Sequence, residues 1–463
     1  MTTQLSFLGA SFRSSPKFVL STIAIGLFTD LFLYGLIVPI LPFMLKDRFH
    51  LRDSQIQPYT SKLLATYSAS TVMCSLPAGY LADRLGCRRL IYLAGLLLLL
   101  VATALFAFGR SILVLIVARV LQGMSAAIVW SVGFAMVLES VGKEKFGEAL
   151  GAVYSFSTIA ELTAPILGGI LYDAVGISAV FAIAMGITSV DLIMRLLVIE
   201  HDVAKDNMGS NESYLSGEES EGASHATENE PLLPRDVETK YKVCGDTNSW
   251  LRAMPVLYCF RNASFLISMM TSFTQAMIIS MFDATIPTEA YTLLRFSSLQ
   301  VGLLFIALVA PCTLFGWFCG RLVDKHGTKY ISTIGYGFLA PCLALLGLPS
   351  QDVIDRNIKA IVYCIVLALD GVGLAIINLP GFVEASDVMK KYEAANPALF
   401  GDHGCYAQLY GFNSFFFFSG LTAGPLVSGF LKDHLGYGGM GIGFGIASAA
   451  VAVLSYIFMG EDL

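Results

Sequence analysis

Asp30, Arg119, Glu161, Asp191, Arg195 and Asp283 each stand inside a long run of apolar residues. A charge in hydrocarbon is costly, so such a residue faces a partner or a wet cavity and marks a path for ions or substrate. The chemistry open to this set is reversible binding: a carboxylate takes a cation or exchanges it for a proton. Asp30 and Asp283 are the sharpest pair, because they fall at equivalent places in the two halves of the chain and can face one cavity. The alternative is two separate acids satisfied by local hydroxyls. Asp191 and Arg195, spaced i, i+4 on one helix face, read as a structural pair. Glu161 lies one helical turn before Pro165. Tyr34, Phe282, Phe412 and Phe415–Phe418 would line a cavity for a bulky, partly aromatic solute. No Ser/His/Asp, metal-ligand, phosphate-cradling or nucleic-acid motif stands out. The expectation is therefore no enzyme, no metal and no cofactor, with an ion gradient as the energy source.

The elements that must hold these residues are membrane helices. The 463 residues are 55% hydrophobic and 14% charged, with mean hydropathy +0.68, whereas a soluble domain carries about 25% charge. A spanning helix needs about 20 mostly apolar residues. Candidate spans lie at 18–43, 59–81, 90–108, 112–138, 147–172, 176–199, 261–288, 299–319, 329–348, 358–383, 405–430 and 437–460. Their internal Gly and Pro are tolerated because neighbouring helices re-satisfy the backbone. The expected fold is an all-α integral membrane protein of twelve transmembrane helices in two six-helix pseudo-repeats. The scattered cysteines, none in a CxxC pair, read as small buried hydrophobes.

The expected domains are an N-terminus at 1–17, a six-helix bundle at 18–199, a linker at 200–254 and a second six-helix bundle at 255–463. The linker is rich in Glu, Ser, Asn and Gly and by composition reads as largely disordered. Lys and Arg crowd the loops on the side of the N-terminus and linker, which places both termini and the linker in the cytosol. The halves repeat each other. Gly79, Asp83, Arg84, Gly86, Arg88 and Arg89 follow the second span; Gly320, Asp324 and Gly327 follow the eighth; both read G-x-x-x-D-[RK]-x-G. Pro165, Gly168 and Gly169 end the fifth span as Gly424 and Pro425 mark the eleventh. Matching signatures imply duplication and parallel repeats, a known transporter plan. The first motif puts acid and base at helix ends, where they can bridge neighbouring termini and form a gate, with ordinary positive-inside anchoring as the alternative. The second removes side chains where helices cross.

These residues resemble the major facilitator superfamily over essentially the whole chain outside 1–16 and 200–250. Gly79–Arg89 looks like its loop signature between helices 2 and 3. Arg119, Gln122 and Gly123 resemble its helix-4 signature R-x-x-Q-G, which implies a part for Arg119 in proton coupling. Ala164, Pro165, Gly168 and Gly169 resemble the exporter signature G-P-x-x-G-G, with Ala164 for the first glycine. Asp30 ahead of Val38, Pro39 and Pro42 is similar to helix 1 of the drug:proton antiporter and vesicular amine transporter group, and Asp283 to that group's helix-7 acid. Ser68 stands where vesicular amine transporters carry a lysine, and Pro380 and Ser414 stand near their two later aspartates, with Asn378 and Asn413 as polar neighbours. The stretch Asp191–Glu200 resembles fungal members. The resemblance implies proton-coupled antiport or export of a small organic solute (cationic, drug-like or a secondary metabolite) by alternating access. The binding set is then Asp30, Asp283, Glu161, Arg119, Tyr34, Asn378 and Asn413. Alternatives are a proton symporter importing a nutrient and a non-transporting receptor on the same fold. Expected partners are the solute, protons and lipid, with no nucleic acid. Glu228, Leu232 and Leu233 form an acidic dileucine address for a sorting adaptor, which suggests a vacuolar or vesicular membrane, with the plasma membrane as the alternative.

Overall fold

The computed structural model describes residues 15–85, 88–141, 146–198, 241–243, 254–350, 356–400 and 406–460. Before the linker come α1 (Pro16–Ile37), α2 (Leu41–Phe49), α3 (Asp53–Leu85), α4 (Arg88–Phe108), α5 (Ile112–Val141), α6 (Phe146–Ala174) and α7 (Ile177–Leu197). After it come α8 (Ala263–Glu289), α9 (Ser298–His326), α10 (Thr328–Ala344), α11 (Arg356–Ile377), α12 (Pro380–Ala395), α13 (Pro397–Phe400) and α14 (Tyr406–Phe458). No strand occurs among the described residues.

Nine stretches among the described residues are long and apolar enough to cross a membrane. One of them, Gln408–Phe458, turns at Gly436, where φ 71 and ψ 176 interrupt the helix, so it holds two helices in series. A side chain at that φ would be strained. The helices α3 and α6, 33 and 29 residues long, fall outside those nine. The element order accommodates the expected spans with two differences in shape. The first span does not stop at 43: α1 tightens into a 3-10 turn at Val38–Ile40, around Pro39, and continues as α2 to Phe49. A proline lacks the N–H that an α-helix needs at that point. The tenth span, expected at 358–383, breaks at Asn378–Leu379, and α12 runs on to Ala395. Pro380 is the cause, since its ring clashes with the carbonyl four residues earlier.

The duplication is visible in packing. Gly123 on α5 lies against the Tyr67 carbonyl of α3, and Gly371 on α11 lies against the Leu308 carbonyl of α9. The halves meet at the end of the bundle away from the termini, called here the far end. There Gly169 on α6 abuts the Ser298 carbonyl of α9, Gly302 abuts the Pro165 carbonyl, and Gly429 on α14 abuts the Ser61 side chain of α3. A Cβ at Gly169 or Gly302 would run into backbone, so only glycine permits this approach. One apolar cluster joins both halves, with Leu36 and Leu41 packed among residues such as Met281, Phe282 and Val301. Phe282 is fully buried there, in the core and not on a cavity wall.

Candidate transport site between the halves

The positions i and i+4 place Asp30 and Tyr34 on one face of α1. Asp30 is 2% exposed. Its Oδ2 accepts from Tyr67 Oη on α3 and from Trp130 Nε1 on α5, both at 2.9 Å. The acid therefore ties three helices of the first half. Tyr34 Oη reaches the other way and donates to Asp283 Oδ2 on α8 at 3.1 Å. The Tyr34 and Tyr67 rings lie 5.1 Å apart. Asp30, Tyr67, Tyr34 and Asp283 thus form a continuous chain from one half to the other. The Trp130 ring adds a second crossing, 6.1 Å from Phe418 on α14.

Two further expected residues border this chain. Glu161 on α6 is exposed and interacts electrostatically with half-buried Asp283. Arg119 is fully buried; its Nη1 donates to Gln122 Oε1 at 3.2 Å and its guanidinium lies 5.0 Å from the Phe106 ring centroid. It interacts electrostatically with Tyr34 and Tyr67, so it sits behind the phenols. Its Nε and Nη2 have no hydrogen-bond partner among the described residues.

Asn378 and Asn413 converge on α8 instead. Gln275 Nε2 donates to Asn378 Oδ1 at 2.7 Å, and Ser272 Oγ donates to Asn413 Oδ1 at 2.6 Å. Gln275 lies eight residues before Asp283, about 12 Å along the helix axis at 1.5 Å per residue. The result is an acidic group toward the far end and an uncharged amide group at the α11–α12 break, both on α8. Asp191 and Arg195 stay apart from either, fully buried, with Arg195 4.8 Å from the Tyr92 ring centroid.

Of the expected gate, Gly86 and the side chains of Asp83 and Arg84 lie outside the described residues, and Gly79 lies within α3. Arg88 Nη1 donates to the Ala135 carbonyl at 3.4 Å, and Arg89 Nη2 to the Leu196 carbonyl at 2.8 Å. Arg89 thereby caps the C-terminal end of α7, where a cation is favoured. In the second copy Gly327 takes φ +80 between α9 and α10, Asp324 is exposed, and the Leu379 side chain packs at Gly320. The expected packing motif holds backbones together. Gly168 abuts the Leu36 carbonyl and Gly424 the Met277 carbonyl, while Pro165 and Pro425 are buried within their helices. Glu228, Leu232 and Leu233 lie outside the described residues.

Several residues in the site have no signal in the sequence. Tyr67, Trp130, Ser272 and Gln275 read as ordinary helix residues until a partner is known. A far-end clasp likewise matches no sequence pattern. Lys432 on α14 pairs with Glu289 Oε2 at 2.9 Å and donates to Thr288 Oγ1 at 3.1 Å and to Gln57 Oε1 of the first half at 3.3 Å. Gln57 Nε2 in turn donates to the Ala284 carbonyl at 3.2 Å. At the other end, Glu384 accepts from the Ser264 and Thr328 hydroxyls and from the Gly460 N–H, which joins the starts of α8 and α10 to the end of α14.

The family model for the Major Facilitator Superfamily matches residues 23–398. The chain is 44% identical over 472 aligned residues to the MFS-type transporter ppzB of Metarhizium rileyi, covering 98% of this chain and 96% of that protein. It is 38% identical to the uncharacterized MFS-type transporter C18.02 of Schizosaccharomyces pombe, with 92% of each covered. Similarity to the probable vesicular acetylcholine transporter-B of Danio rerio is 30% over 210 residues, or 43% of this chain and 42% of that one. Among solved structures, the human organic anion transporter MFSD10 superposes with TM-score 0.60 at 15% identity, covering 95% of this chain and 99% of that one. The nucleoside transporter NupG superposes with TM-score 0.57 at 12% identity, covering 95% and 98%. These likenesses agree with the helical order, the repeated glycine signatures and the acids between the halves: the chain belongs to the major facilitator superfamily.

Proposed function

We propose that the chain is a proton-coupled exporter that moves a small organic solute by alternating access, with Asp30 and Asp283 as the groups that exchange protons for solute. The observation that carries this reading is the chain Asp30–Tyr67–Tyr34–Asp283, which bridges the two halves through side chains alone. A rocking motion separates the halves at this seam. The bond from Tyr34 to Asp283 must then open or re-form, so the charge on an acid and the position of the halves are linked. Trp130 and Phe418 would give a cavity opened between the halves an aromatic wall, and Gln275, Asn378 and Asn413 would give it neutral hydrogen-bonding groups. That combination suits a partly aromatic solute that carries a cationic centre. The Ala164–Gly169 signature supports export over import. The membrane is proposed to be vacuolar or vesicular, with the linker and both termini cytosolic and Glu228, Leu232 and Leu233 read by a sorting adaptor.

The test is flux direction in vesicles of the purified protein under an imposed pH gradient, with a panel of cationic, neutral and anionic compounds. Exchange of an organic cation against protons is the expected result. Solute and protons moving together would replace export by symport, and flux indifferent to the gradient would remove proton coupling.

A further inference from the structure

The duplicated helices α5 and α11 differ at two buried positions three residues apart. Gly123 and Gly371 make the same close approach, each to a carbonyl of the neighbouring helix, and so fix the register between the two halves. In the first half Gln122 precedes that glycine and accepts from Arg119, three residues earlier. In the second half Asp370 takes the place of Gln122, and fully buried Leu367 takes the place of Arg119. The amide–guanidinium pair of one half thus becomes a lone carboxyl in the other. Asp370 is fully buried, and neither of its oxygens has a hydrogen-bond partner among the described residues.

We propose that Asp370 is a second exchangeable proton site, set in the core of the C-terminal half and separate from the chain between Asp30 and Asp283. A bare carboxylate enclosed without donor or counter-charge is among the most costly arrangements in a protein interior. A bound proton removes that charge. The surroundings fit a proton better than a metal ion, because no group of three or more His, Cys, Asp or Glu able to hold a metal occurs among the described residues. The groups that face Asp370 electrostatically are Cys342 from α10, Tyr363 from its own helix and Tyr437 from α14. From α9 comes Leu308, packed at Gly371. Tyr363 Oη and Tyr437 Oη are hydrogen-bonded at 2.8 Å. Both phenols also interact with Glu289 of α8, the acid of the far-end clasp, and Lys432 lies 5.4 Å from the Tyr437 ring centroid. The tyrosine pair therefore stands between Asp370 and the Lys432–Glu289–Gln57 clasp. A proton gained or lost at Asp370 changes the field at the group that holds the far end closed.

This inference rests on the reading of the chain as proton-coupled, but its test does not need transport. The full chain in lipid is studied by infrared difference spectroscopy across a pH series, with Asp370→Asn and Asp370→Glu alongside the unaltered protein. The expected result is a protonated-carboxyl carbonyl band that weakens as pH rises, is lost in Asp370→Asn and returns at a shifted frequency in Asp370→Glu. Identical spectra in the unaltered protein and Asp370→Asn would overturn the proposal. So would a band assigned to Asp370 that stays constant across the whole series, because such a proton does not exchange. Wild-type vesicles with no proton-linked flux would instead sink the proposed function and leave the spectroscopic answer standing.

Discussion

The Tyr34 hydroxyl of the first half donates to the Asp283 carboxylate of the second across 3.1 Å, while its ring lies 5.1 Å from Tyr67, a donor to Asp30. The two acids that stand out in the sequence are therefore joined through two phenols. A change of charge at either is felt at the seam where the halves part.

Tyr34→Phe keeps the ring and deletes the cross-half bond. A typical hydrogen bond contributes about 0.5–1.5 kcal/mol net, so the fold should survive. Turnover should fall severalfold, and the pH profile of flux should move because Asp283 loses its donor. Solute flux measured against pH checks this; an unchanged profile with normal turnover would show that the bond is incidental.

At the clasp, removing one charge leaves the other half enclosed. Lys432 and Glu289 side chains are only 14% and 10% exposed. Lys432→Met and Glu289→Met should each cost about 3 kcal/mol. The double substitution should cost less than the sum of the two. Thermal unfolding of the four proteins in one detergent gives the coupling, and strictly additive losses would mean that the pair does not interact.

Neighbouring glycines should separate folding from transport. A Cβ at Gly168 meets the Leu36 carbonyl within its own half, whereas one at Gly169 meets the Ser298 carbonyl of the other half. Gly168→Val should destabilise the N-terminal bundle by about 1–3 kcal/mol, the usual cost of overpacking. Gly169→Val should spare the bundles and hold the far end apart. In a cysteine-depleted background, a cysteine at Ser61 should then react faster with an impermeant maleimide from the far side while flux is lost. Equal effects of the two variants on unfolding temperature and on labelling would contradict this division.

The fold was legible in the sequence because lipid imposes a coarse rule: long apolar runs, with paired glycine signatures at matching places. Asp30, Arg119 and Asp283 were legible for the same reason, since an ionisable residue in hydrocarbon needs an explanation. Tyr67 and Trp130 were not, because an aromatic on an apolar helix reads as core until its polar atom has a partner. Asp370 escaped because it matches no signature, and only the packing of Gly371 beside Leu308 aligns it with Gln122. Lys432 looked like a loop charge at a helix end; its pairing with Glu289 and Gln57 depends on how two halves dock, which no local pattern encodes. The break at Asn378 was written in Pro380, yet the apolar run through it outweighed the single proline.

The most direct test of the account records solute and proton movement together in vesicles carrying the unaltered protein, Asp30→Asn or Asp283→Asn. The account predicts that an organic cation leaves against protons in the unaltered protein. It also predicts that both variants lose flux of the cation together with coupled proton flux. Near-normal proton-dependent transport in either variant would contradict it and return that aspartate to a structural role.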